Sequence, residues 1–303
     1  MFPPSSVVWL IGYFGLVFGL FWMLLVLRRR KNEGRFPIPA DFRAMRRPGE
    51  QLSVELAKLD ERFDLQAAIL LALPLICFAL PFILTKPFEH KAAIPVLIAG
   101  LALASAGFVY GINKLRVTIQ SIRNHRLALF GERLTADQLV SLTKDGYCVF
   151  HDVPCEGGSG MFNLDHVVVG RGAVVVVETK TYRKRTGTNG EDHKVTYDGQ
   201  KLIFPHKTST EELEQVLGNA EWLRKQLLKK LNIDVPVRTA LTFPGWFVAG
   251  ASPHAPVLVE NVKRLPKFIR DRFPASINDA QEDLICRHLC SLCETVTFDA
   301  MAA

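Results

Sequence analysis

The chain reads as an α/β domain, a mixed sheet flanked by helices, preceded by a three-helix transmembrane region. Three observations predict this. The N-terminal region of the 303 residues is far more apolar than the rest and holds three runs near bilayer length. From Tyr147 onward short strands rich in valine alternate with amphipathic helices, the pattern of a sheet covered by helices. At the centre, two valine runs flank Gly170-Arg171-Gly172, which reads as a β-hairpin with a tight turn. The division expected is 1–116 transmembrane, 117–250 the main soluble domain, and 251–303 a strand and helices that close it.

The first span, at about 7–27, is uninterrupted and is followed at once by Arg28-Arg29-Arg30-Lys31. A cleaved signal peptide carries its positive charge before the apolar core, so this segment reads as an anchor. Spans at about 66–85 and 92–112 follow, joined by a turn at 86–91 too short for anything but a helical hairpin. The first contains Pro74 and Pro81, tolerated in membrane helices; the second is rich in Ala and Gly, suited to close packing. Arginines between the first and second spans put that loop and the C-terminal domain in the cytoplasm and the N-terminus outside, as expected of a multi-pass inner-membrane protein. The formal net charge of +7 fits nucleic acid, but proximity to anionic lipid accounts for much of it.

In the soluble region, residues 117–126 continue a helix into 127–130, and a further helix spans 132–143 with Leu134, Leu139 and Leu142 inward. Asp145-Gly146 stops it. Residues 147–153 alternate as a strand, and 155–160 read as a flexible Gly-rich loop. No Gly-Lys-Ser/Thr follows that loop, which argues against a phosphate-cradling site of the Walker type. A second hairpin covers 195–204 and turns at Asp198-Gly199. Thr208-Ser209-Thr210 can cap a helix at 211–231, whose buried stripe is Leu213, Val216, Leu217, Ala220, Leu223 and Leu227. Gln215 and Asn219 lie one turn apart on another face. Strands at 238–243 and 257–260 and helices at 265–272 and 280–293 complete the domain.

The register of the central hairpin carries the chemistry. With a turn at Arg171 and Gly172, Gly170 pairs with Ala173 and Asp165 lies opposite Glu178, with Cβ atoms roughly 4.5–5.5 Å apart. Lys180, two residues on, points to the same face. Carboxylates at that distance raise each other's pKa unless a cation or proton lies between them. A hard divalent ion such as Mg²⁺ or Mn²⁺ suits the gap, with the Thr179 carbonyl a further oxygen. Lys180 can orient or deprotonate a water, or balance charge in the transition state.

Asp165, followed by Glu178-Thr179-Lys180 at the end of an apolar strand, resembles the Asp…(Asp/Glu)-x-Lys core of the restriction-endonuclease-like nucleases. Gly131-Glu132, Leu164-Asp165-His166, Glu178-Thr179-Lys180 and Gln215, in that order, are similar to the nuclease-related domain, NERD, over about 130–247. The resemblance implies a restriction-endonuclease-like sheet and metal-dependent phosphodiester hydrolysis. It implies metal on Asp165, Glu178 and Thr179, help to the water from Lys180, a carboxylate from Glu132, and support from Gln215. The partners expected are nucleic acid, DNA first, and the lipid bilayer. Arg183, Lys184 and Arg185 are candidates for phosphate contact beside the site. The rival readings are a non-catalytic nucleic-acid-binding module and a membrane scaffold or sensor that retains the fold.

Of six cysteines, Cys77 falls in an expected span, and the five in the domain expected to be cytoplasmic do not suggest disulfides. Cys286, Cys290 and Cys293, with Cys148 or Cys155 upstream, have an analogue in the iron–sulfur staple of some relatives of this nuclease fold, but the spacing departs from theirs. They read instead as buried thiols. His166, on the opposite face from Asp165, reads as a satisfied core histidine.

Overall fold

The computed structural model describes residues 42–84, 90–157, 160–184, 193–250 and 255–296, with Gly19 and Met23. The chain divides into two compact units: residues 1–39 with 58–123, and 40–57 with 124–303. Two long helices, α1 (Glu50–Leu84) and α2 (His90–Thr143), run through the first unit. There they lie antiparallel: Thr118 donates to Gln66 at 2.8 Å, and a side chain built at Gly111 would meet Leu70 at 2.7 Å. Among the described residues one helical stretch, Ile98–Thr143, is long and apolar enough to cross a membrane, with a mean hydropathy of 1.3. The sequence predicts three. The spans expected at 66–85 and 92–112 fall in α1 and α2; the one at 7–27, and most of the turn at 86–91, lie outside the described residues.

The second unit is a mixed α/β structure. A five-stranded sheet has the order β10-β8-β4-β3-β2. Its strands are β2 (Cys148–Gly157), β3 (Gly160–Gly170), β4 (Ala173–Thr179), β8 (Val237–Thr242) and β10 (Leu258–Glu260). β2, β3 and β4 form an antiparallel meander, and β4, β8 and β10 run parallel. Every residue of β4 is buried. That explains its near-continuous run of valines, since a strand covered on both faces has no solvent side to alternate with. A smaller sheet, β7-β6-β5-β9, contains β5 (Lys194–Tyr197), β6 (Leu202–Ile203), β7 (Thr208–Ser209) and β9 (Phe247–Ala249). β1 (Ala44–Met45), which precedes α1, pairs with β11 (Glu294–Val296) near the other end of the chain.

Helices α3 (Glu211–Leu231) and α5 (Asp279–Cys293) cover one face of the large sheet, packing on Val167, Val169, Val174 and Val176. The end of α2, with Leu139 and Leu142, and α4 (Leu265–Arg272) cover the other, against Val168, Val175 and Val177.

Several expectations need correction. α2 is continuous through 127–131, so Gly131 does not end a helix. Of the Gly-rich stretch at 155–160, expected as a loop, Cys155 to Gly157 and Gly160 are strand: β2 runs to Gly157 and pairs back with β3 from Gly160. Leu217 is exposed rather than within the buried stripe of α3, and Glu212 and Asn219 are buried instead. Thr210 stands at the N-cap without a side-chain bond to the helix backbone. Its hydroxyl donates to Glu214, while Ser209 donates to Glu212.

Candidate active site

The hairpin turns at Arg171-Gly172 and pairs Gly170 with Ala173, as the sequence predicts. Gly172 has φ +74°, a conformation that costs an L-residue with a Cβ roughly 1–2 kcal/mol. From there the ladder is regular to His166↔Val177, where it stops. Continued, it would place the Thr179 N–H on the Leu164 carbonyl. Instead that N–H donates to Asp165 Oδ2 at 2.7 Å. The strands separate just before the charged residues, and a carboxylate takes over a backbone acceptor's role.

Glu178 is 2 % exposed, and three side chains hold it. Oε1 accepts from Gln215 Nε2 at 2.7 Å and lies 2.9 Å from Lys180 Nζ; Oε2 accepts from Asn219 Nδ2 at 3.0 Å. The one-turn spacing of Gln215 and Asn219 lets a single helix face grip both oxygens. Asn219 is not among the site residues expected from the sequence, although it shares the helix face of Gln215, which the family resemblance turns towards the site; its signal is the i, i+4 relation to Gln215.

Glu132 comes from α2, one turn before Thr135. Thr179 Oγ1 donates to Thr135 Oγ1 at 3.1 Å, and Thr135 is bonded in turn to the Gly131 carbonyl. The helix comes this close because Gly131 lacks a Cβ: one built there would meet Thr181 Cγ2 at 2.0 Å. This contact is the physical content of the Gly-Glu pair.

The three carboxylates act on one another. Burial, then the charges of Asp152 and Glu178, push the Glu132 carboxyl up to about 8, against the pull of Lys180. Asp165 is raised well above the usual carboxylate range by burial and by Glu178 and Glu132; the Thr179 N–H and Lys180 only partly offset this. For Lys180, burial works to lower the ammonium's pKa. The charge and hydrogen bond of Glu178, with Asp165 and Glu212, outweigh it and raise it. Its carboxylate neighbours thus favour the ammonium form of Lys180 in the protein without metal.

Next to the site, Tyr182 donates to Glu212, which also accepts from Lys207 at 2.9 Å and from Ser209. Burial raises the Glu212 carboxyl, but the bonds from Ser209, Tyr182 and Lys207 prevail and hold it down at about 2. Lys207 Nζ lies 4.3 Å from the centroid of the Tyr182 ring, and Trp246 Nε1 bonds the Tyr182 carbonyl at 3.1 Å. This anchored tyrosine precedes the basic run. Arg183 and Lys184 are exposed beyond it, and Arg185 lies outside the described residues.

His166 is fully buried, with Nδ1 2.9 Å from His151 Nδ1, but its Nε2 has no partner among the described residues, so it is only half satisfied. The cysteines expected as buried thiols are so only in part: Cys148 is exposed and Cys286 and Cys290 are half-buried, whereas Cys155 and Cys293 are buried, and burial foremost pushes those two thiols up to about 12. Among the described residues, no group of three or more His, Cys, Asp or Glu side chains stands ready to hold a metal ion.

Residues 128–244 match the family model of the nuclease-related domain, NERD. The match begins four residues before Glu132, includes Asp165, Glu178, Lys180, Gln215 and Asn219, and supports a nuclease-related function for that segment of the chain. No curated protein matches the chain.

Proposed function

We propose that the protein is a membrane-anchored, metal-dependent nuclease that hydrolyses nucleic-acid phosphodiester bonds. Three spans hold it in the inner membrane, with the N-terminus outside and the domain from about 117 onward in the cytoplasm. DNA is the first expected substrate. What carries the reading is Glu178: a buried carboxylate at a strand end, in contact with Lys180 and near enough to Asp165 and Glu132 to raise both.

The donor set fits a hard divalent cation. It offers carboxylate oxygens, and the raised carboxyls of Glu132 and Asp165 mean that making both anionic needs more positive charge than Lys180 provides. Asp165 Oδ2 is engaged by the Thr179 N–H, while Oδ1 keeps its lone pairs for a further ligand. Asp165 and Glu178, with the Thr179 carbonyl, would hold Mg²⁺ or Mn²⁺. When bound, such an ion supplies Lewis acidity and a water of lowered pKa. The protein's own contribution is positional. Gln215 and Asn219 fix the rotamer of Glu178, the Thr179 N–H fixes Asp165, and the Lys180 ammonium faces the phosphate charge that develops during cleavage. Glu132, protonated through neutral pH in the metal-free protein, can give up a proton as positive charge arrives. Arg183 and Lys184, exposed just after the strand that carries the site, and Arg185 next in sequence are the candidates for contact with the substrate backbone.

The test uses the full chain in detergent with Mg²⁺ or Mn²⁺ and plasmid, linear DNA and RNA. Asp165→Asn and Glu178→Gln are expected to lose cleavage by about 10³-fold or more while remaining folded. Cleavage that survives both changes would remove the nuclease assignment. A folded wild-type protein that binds nucleic acid without cutting it would favour the non-catalytic reading.

A further inference from the structure

Asp152 is a buried carboxylate that the proposed reaction does not use. It lies in β2 with φ +49° and is 4 % exposed. The ladder pairs His151 with His166 and Val153 with Leu164, and skips the pair between them, which is Asp152 and Asp165. At that point both strands change the parity of their inward-facing positions. Phe150 and Val167 belong to the core under α3 and α5, and so do Val153, Cys155 and Leu164, each an odd number of residues away. Asp tolerates this left-handed backbone better than most residues, because its short side chain bonds nearby groups.

Three groups hold the carboxylate. Arg46 places Nε at 2.8 Å, and Nη2 as well, on Oδ2. The Gln51 N–H, in the first turn of α1, donates to the same oxygen at 3.1 Å, and Asn163 Nδ2 donates to Oδ1 at 2.8 Å. Arg46 is itself fixed, since its N–H bonds the Cys293 carbonyl at 2.9 Å beside the β1–β11 pairing. The turn after Arg46 packs close to α2: a side chain built at Gly49 would meet Leu129 first and lie 3.4 Å from Glu132 Oε2.

We propose that Arg46 is a positioning residue of the carboxylate site: it holds Asp152, and with it the bend that delivers the Asp165 carboxylate to the Thr179 N–H. A buried carboxylate without its cation must reach water or take a proton. Either way the bend relaxes towards a continuous ladder, in which Leu164 rather than Asp165 accepts from Thr179. The guanidinium fork suits this task because it donates from two nitrogens at a fixed angle. Arg46 lies outside residues 128–244, so a fragment begun near residue 117 would match the family and still lack a group that shapes the site. The effect on cleavage rests on the nuclease reading; the positional claim does not.

The experiment measures amide exchange at single-residue resolution on the full-length protein in detergent, for wild type, Arg46→Gln, Arg46→Lys and Arg270→Met. The last breaks an ion pair to Asp145 and serves as the control. Arg46→Gln should lower protection at Thr179 by about tenfold or more relative to Val174 and Val175 in the same strand, Arg46→Lys by about threefold, and Arg270→Met not selectively. Protection at Thr179 that is unchanged, or lost evenly along the strand, overturns the proposal. If Arg46→Gln does not fold, Arg46→Lys decides by the same ratio. Where the wild type cleaves nucleic acid, kcat should fall by about tenfold in folded Arg46→Gln with KM little changed, and Lys should recover some of it. A wild-type kcat in that variant also overturns the proposal. If the wild type does not cleave, the nuclease reading fails and the exchange ratio alone decides.

Discussion

The two ends of one hairpin solve opposite problems. At the turn end, Gly170 to Ala173, backbone groups find partners at once. The Gly172 N–H donates to Glu282, and its carbonyl accepts from Ser276 and Ile277. At the other end the ladder opens, and a carboxylate replaces a carbonyl as acceptor of the Thr179 N–H. The intervening strands are buried valine. The turn end is over-determined by backbone bonds, whereas the site end holds like charges together that packing alone would drive apart. Backbone bonding concentrates at the first and buried charge at the second.

Two glycines allow that contrast to be broken from either side. At Gly172 a Cβ would meet Ala275 at 2.7 Å and the Ile277 carbonyl at 2.8 Å, and φ is positive. Gly172→Ala should cost roughly 2–4 kcal/mol in a thermal or denaturant melt, while cleavage per folded molecule stays as in wild type. Gly131→Ala gains about 1 kcal/mol of helix propensity but forces its Cβ onto Thr181, for a net loss of roughly 1–2 kcal/mol. Unlike the change at Gly172, it should also reduce turnover, because Glu132 and Thr135 move with the helix. Adding Thr181→Ala to Gly131→Ala should restore both. If Gly172→Ala lowered turnover as much as Gly131→Ala, the two ends would not be separable.

The contrast also explains what the sequence reveals. The turn, its register and the order of charged residues are legible because a two-residue turn fixes pairing by counting. Counting fails where local backbone conformation decides. Neither the opening at Leu164 and Thr179 nor the parity change at the left-handed Asp152 is announced by any periodicity. Arg46 and Asp152 are 106 positions apart, and no local pattern joins them. Gln215 and Asn219 show the intermediate case: their spacing is visible, but what they grip is not. Periodicity and capping residues give the bounds of the helix from 211 to 231, yet they misplace a piece of its stripe, because Leu217 resembles a core residue and Glu212 does not. Low helix propensity makes Gly131 look like a break, whereas tertiary contact keeps the helix running through it.

Charge at the site end sharpens the comparison further. The native pKa of Glu132, about 8, lies above its ordinary value of 4.5, so the folded state holds a proton that the unfolded chain has lost between those values. Stability therefore falls as pH rises from about 4.5 to about 8. Without divalent metal, Glu132→Gln should raise stability at pH 8.5 by up to about 4–5 kcal/mol and change it little near pH 4.5, where the folded wild type is neutral at this position too. A variant that gained nothing at pH 8.5 would show that the carboxylates are not in conflict.

The smallest effect concerns the pair of imidazoles between the two ends. His151 and His166 face each other across the ladder, with rings nearly perpendicular and Nδ1 atoms 2.9 Å apart. One nitrogen must donate and the other accept, so the contact requires an unprotonated Nδ1. Burial, only partly opposed by the charge of Asp152, lowers His151 to about 4; burial and then His151 lower His166 well below the usual range. Both native pKa values lie below the ordinary 6.5, so the unfolded chain binds protons that the folded chain refuses. The stability this contributes is complete above about pH 6.5 and is lost as pH falls towards 4. Between pH 7.5 and pH 6.0 each histidine should account for about 0.8 kcal/mol of that loss. His151→Gln keeps a group able to bond His166 but cannot be protonated, so it should remove about half of the decline in the unfolding midpoint over that interval. A decline as steep in the variant as in wild type would mean that His151 is protonated in the folded protein, and that the Nδ1 contact is not what holds the middle of the hairpin.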